Sequence, residues 1–114
     1  MSNTPWTPGP WAINRRNLRN GGRAISANDG KDPIADVYAF GDDDCHDNDA
    51  GFRALRDRCE ANARLIAAAP EMAEVLRLWL AYDSSADDVS MMIRYAEALE
   101  ATKALYARIR GDAP

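Results

Sequence analysis

Histidine is almost missing from this chain: His46 is the only one in 114 residues, and Cys45 and Cys59 are the only thiols. A Ser-His-Asp or Cys-His arrangement would have to use His46, which sits in a run of aspartates, a poor seat for a general base. Neither a Gly-x-Ser-x-Gly string nor a P-loop occurs. Long apolar runs are also absent; none approaches the roughly 18 residues that a bilayer crossing needs. The opening Met1-Ser2-Asn3-Thr4-Pro5 lacks the basic-then-apolar build of a secretory signal. Two cysteines without such a signal predict free thiols in a reducing cytosol. These absences point away from an enzyme, from a cofactor and from a membrane or secreted protein.

Metal binding has one candidate, the segment Asp42-Asp43-Asp44-Cys45-His46-Asp47-Asn48-Asp49, with Cys59 downstream. A calcium loop needs a central glycine and a late glutamate, and both are misplaced here. Zinc would need the adjacent Cys45 and His46 to ligate one tetrahedral ion together with Cys59 and a carboxylate, a poor geometry. A solvated acidic loop without metal is the expectation.

Charge is uneven. Residues 1–41 carry five bases against three acids, residues 42–51 five aspartates and no base, and the remainder nine bases against ten acids, for a net charge of −4. An acidic chain gains no long-range attraction to a duplex, so general nucleic-acid binding is not expected. A local basic pocket for a small anion stays open.

Periodicity outlines the fold. Three prolines in the segment 5–10 make an extended arm carrying Trp6 and ending at Trp11. Residues 11–14, 23–27 and 33–40 read as strands, separated by the Asn20-Gly21-Gly22 and Asn28-Asp29-Gly30 turns. The third strand has Ile34, Tyr38 and Phe40 on one face and Ala35, Val37 and Ala39 on the other. Two apolar faces predict that copies of the chain meet on the sheet, giving a homo-oligomer. Beyond the acidic loop, 41–51, the period becomes helical. One stripe holds Phe52, Leu55, Cys59, Ala63 and Ile66, with Leu65 also expected in the core. A second helix after Pro70 has Met72, Val75, Leu76, Trp79 and Leu80 on one face. A third, capped by Ser85 or Asp87 and stopped at Gly111, places Val89, Met92, Ile93, Ala96, Leu99, Tyr106 and Ile109 inward. The predicted fold is α+β. A Pro/Trp arm (1–10) precedes a single domain (11–114), in which a three-stranded antiparallel meander (11–40) packs on three helices (52–110), the last two an antiparallel pair.

Two strings carry a resemblance. Thr7-Pro8-Gly9-Pro10-Trp11, followed by Asn62-Ala63-Arg64-Leu65-Ile66-Ala67-Ala68-Ala69-Pro70-Glu71, resembles a group of small phage and prophage proteins of largely unassigned function. Met72-Ala73 stands where Leu-Leu is commoner in that group. The resemblance implies a viral origin and a setting in the host bacterial cytoplasm.

The candidate binding constellation is Arg15, Arg16, Arg19 and Arg23 around the glycine-rich turn, with Trp6 and Trp11 near in sequence and Asn62 and Arg64 on the first helix. Guanidinium groups grip phosphate bidentately and an indole stacks a base. Solvated arginines and a core Trp11 are the plainer reading of the same residues, and Asn62, near the packing stripe, should need hydrogen-bond partners. Two functions follow. One is a non-enzymatic counter-defence protein that sequesters a small anionic, cyclic nucleotide signal in an oligomer. The other is a protein-binding inhibitor or modulator of a host or phage protein, acting through acidic and helical surfaces.

Overall fold

A computed structural model describes residues 4–14, 22–38 and 49–112, with residues 49–52 described in backbone only. The acidic segment 42–48 with Cys45 and His46, and Arg15, Arg16 and Arg19, lie outside the described residues. Three strands, β1 (Trp11–Asn14), β2 (Arg23–Ala27) and β3 (Asp32–Val37), precede three helices, α1 (Asp49–Ala67), α2 (Ala69–Asp83) and α3 (Asp88–Arg110). The sheet is an antiparallel meander in the order β1-β2-β3. The fold is thus α+β, and α2 and α3 pack against each other.

Small residues bring α1 onto the sheet. Cys59, Ala63 and Ala67 recur every fourth residue and form a shallow groove that takes Ile25 of the central strand, with Val37 beside it. Trp11, Ile13 and Ile34 pack around this core. Burying a side chain the size of Ile25 contributes about 1.5–3 kcal/mol. The bulkier neighbours lose the contest for the interface: Leu65 is 47% exposed and Ile66 37%, so neither fills the core as the periodicity suggested. Asn62 is exposed too and places no buried polar group on the stripe.

β3 corrects the expectation of two apolar faces. Ile25 pairs with Ala35 but Ser26 pairs with Pro33, so Ile34 is an extra, bulged residue. The bulge breaks the alternation and lets Ile34 join Val37 against the core. Pro33 and Asp36 are exposed, and Tyr38 is 60% exposed. Ala39 and Phe40 lie outside the described residues. The turn into β3 uses left-handed backbone at Asn28, Asp29 and Gly30, where these residue types cost least.

Helix boundaries follow local chemistry. Pro70 lies in the first turn of α2 with Glu71 at the positive end of its dipole. Asp87 caps α3, its side chain accepting from the Ser90 backbone N–H, and Gly111 ends the helix with φ of 85°. The inward faces predicted for α2 and α3 are another matter. Trp79, Met72 and Val75 are partly buried, but Leu76 is 64% and Leu80 67% exposed. On α3, Val89, Met92, Ile93 and Tyr106 are exposed, Ala96 with them, and Leu99 and Ile109 are half-buried; only Ala98 is fully buried. The hairpin closes instead through a smaller set. Trp79 Nε1 donates to Thr102 Oγ1 at 2.9 Å, and Thr102 donates to the Ala98 carbonyl. Trp79, Tyr82 and Tyr95 meet edge-on or tilted with centroids 5.6–5.9 Å apart. The result is a long molecule: the radius of gyration is 17.8 Å, against about 13 Å for a compact domain of this length.

Candidate functional site

The two strings that carry the phage resemblance meet in space. The arm runs back over the α1–α2 elbow, where Gly9 lies against the Pro70 ring. Trp11 is half-buried, and its indole N–H donates to the Thr7 carbonyl at 3.0 Å, bracing the arm on itself. Arg64, Ala67, Ala68 and Glu71 then form one wall of a cleft of about 250 Å³, with Pro10, Trp11 and Ile13 opposite and Arg108 of α3 closing one end.

The polar groups of this cleft are mutually engaged. Arg64 Nε donates to the Ile109 carbonyl at 3.1 Å and Nη2 to the Arg110 carbonyl at 3.5 Å, so the guanidinium covers carbonyls that the end of α3 leaves open. It also leans on Gly111. Arg108 Nη2 pairs with Glu71 Oε2 at 3.3 Å, and apart from this ion pair that buried oxygen makes no hydrogen bond among the described residues. A carboxylate in the cleft and a volume below the roughly 300–1,000 Å³ of common ligand pockets suit a packing joint better than a dinucleotide site.

The other predicted site residues do not converge there. Arg23 turns inward, its Nε donating to Glu60 Oε2 at 2.9 Å and Nη1 to the Gly22 carbonyl at 3.0 Å. This partly buried pair ties β2 to α1. Trp6 is 44% exposed and borders a separate groove with Pro70, Ala73 and Arg77 of α2. Thus Trp11 and Arg64 share a site, Trp6 and Arg23 lie elsewhere, and Asn62 stands in solvent. Sequence reasoning missed Glu60, Glu71 and Arg108 as partners. Their charges are visible in the chain, but each pairing spans 37 residues.

Cys59 is inert filler. It is 1% exposed, and its Sγ donates to the Val37 carbonyl at 3.4 Å. Burial pushes its thiol pKa up, with the Arg23 charge opposing and Glu60 reinforcing. No group of metal-ligating side chains occurs among the described residues. No helix among them is long and apolar enough to cross a membrane.

The second notable surface is the outer side of the hairpin. At its tip Tyr82, Asp88, Met91, Met92 and Tyr95 line an open, mainly apolar groove of about 510 Å³. On α2, Leu76 and Leu80 stand one turn apart and exposed. A single-chain domain rarely leaves so many large apolar side chains together in water.

A family model described as Salmonella phage P22 protein Y8K6 matches residues 1–112, nearly the whole chain, and the chain belongs to that family. No curated protein and no solved structure matches it.

Proposed function

We propose that this member of the P22 Y8K6 family is a non-enzymatic phage accessory protein that acts by contact with another protein, through the α2–α3 hairpin. The observation that carries this reading is the exposed Leu76–Leu80 pair on a helix with no fully buried residue. Exposed leucines one turn apart are the anchors of helix-in-groove recognition. Flanking Glu74 and Arg77 pair with each other, so the patch is apolar at its centre and charged at its rim, as interfaces are. The acidic net charge favours a basic partner, and a host or phage protein in the host bacterial cytoplasm is the expected target.

Nucleotide sequestration draws less support. Arg23 is engaged by Glu60, Arg64 by the end of α3, and Glu71 places negative charge in the cleft that Trp11 lines.

The test is affinity capture from infected host cells with the full chain and with a Leu76→Asp/Leu80→Asp variant. The expected result is a specific protein held by the parent and lost by the variant. Equal capture by both, or a thermal shift with a cyclic nucleotide that corresponds to about 2.7 kcal/mol at a hundredfold excess over Kd, overturns the reading.

A further inference from the structure

On α3 the stripe through Met92, Tyr95, Leu99 and Tyr106 is left largely uncovered in the single chain, Leu99 alone of these being half-buried. We propose that a second copy of this chain covers it, the two α3 helices pairing antiparallel about a twofold axis at Leu99. This rests on the reading of the hairpin as a contact surface, and it names the partner of its α3 side; the Leu76–Leu80 side of α2 is left for the target.

Self-complementarity along α3 carries the proposal. An antiparallel pair centred on one residue brings together positions equally far before and after it. About Leu99 this sets Met92 against Tyr106 of the second copy, Tyr95 against Lys103 and Asp88 against Arg110, each pairing made twice by the symmetry. Apolar meets aromatic, a ring meets a cation, and acid meets base. The spacing from Asp88 to Arg110 through these residues is three or four throughout, which keeps them on one stripe of the helix. All but the central Leu99 are exposed in the single chain, and Leu99 is half-buried. The helix is also polarised as a whole, acidic in its first turn at Asp88 and basic in its last at Arg108 and Arg110, so an antiparallel copy aligns opposite charges and opposed dipoles. A parallel copy would set like against like.

Sedimentation equilibrium of the full chain tests it. The expected mass is twice 12.6 kDa at micromolar concentration, returning to the single-chain mass in Met92→Glu with unchanged helical circular dichroism. Met92 is 73% exposed, so a charge there does not disturb the single-chain fold. In a Cys45→Ser background, oxidised Leu99→Cys should give a linked dimer. Asp88→Cys should not link, because antiparallel pairing separates its two copies by about 33 Å at the rise of an α-helix. A single-chain mass at all concentrations, a dimer indifferent to Met92→Glu, or linking of Asp88→Cys as readily as Leu99→Cys overturns the proposal. Capture of the target lost in Leu76→Asp/Leu80→Asp tests the other surface, so a monomer that still captures its target sinks the dimer alone.

Discussion

Gly9 approaches Pro70 so closely that a Cβ on the glycine would stand 2.8 Å from the Pro70 Cβ. The arm and the α1–α2 elbow are therefore fitted to each other, with the Pro70 ring lying where any other residue at position 9 would place its side chain.

Substituting Gly9→Ala should pry the arm from the elbow. The proline ring cannot rotate away, so the overlap costs about 1–3 kcal/mol or displaces the arm. Urea denaturation followed by tryptophan emission checks both outcomes, since Trp11 reports the arm's seat. An unchanged midpoint with unchanged emission would show that the arm does not bear on the elbow.

Arg64→Ala should uncap α3. The guanidinium donates to two terminal carbonyls, and charge-assisted bonds of this kind contribute about 1.5–3 kcal/mol at most. Hydrogen exchange should show faster opening of the last α3 turn, with the α2–α3 tip unaltered. Arg64→Lys should rescue little, because a point charge cannot reproduce the planar fork.

Cys59 sets an alkaline limit. Its folded pKa lies above the ordinary thiol value, so the folded state favours the protonated form. The stability it contributes is complete below about pH 8.5 and declines as pH rises toward the folded pKa. Urea midpoints at neutral and alkaline pH should diverge less in Cys59→Ala than in the parent. Native-state alkylation of Cys59 should be far slower than that of the unfolded chain.

Asp87 acts at the other end of the scale. Hydrogen bonds from the Ser90 backbone N–H and then the Ser90 hydroxyl hold its carboxyl below the usual aspartate range. A depressed folded pKa means stability present above about pH 3.9 and lost as acid protonates the folded group. Asp87→Asn should keep the cap at neutral pH and flatten the acid loss of α3 helicity measured by circular dichroism. A parallel acid profile in both proteins would remove Asp87 from the pH response.

Local chemistry was readable where neighbours in sequence decide the outcome. The Asn28-Asp29-Gly30 turn, the Asp87 cap, Pro70 in a first turn and the Gly111 stop each depend on one residue's backbone or side-chain preference. Stripe assignment failed where two faces competed. Leu65 and Ile66 are more apolar than Ala63 and Ala67, yet the close approach of β2 admits only the small pair. The candidate site was half readable, because Trp11 and Arg64 carry recognisable chemistry but the groups that occupy them, the Thr7 carbonyl and the α3 terminus, are set by the chain's path.

By itself the amino-acid sequence determined the number, type and order of the elements, since propensity, capping and hydrophobic period act over a few residues. Only the tertiary structure decided which faces are covered. The bulge at Ile34 moves apolar surface onto the core side of the sheet, while the hairpin closes on Ala98, Thr102 and Trp79. Burial is a property of pairs of elements, and periodicity describes each element alone. That is why Val89, Met92, Ile93 and Tyr106 of α3 end up on the outside of the single chain.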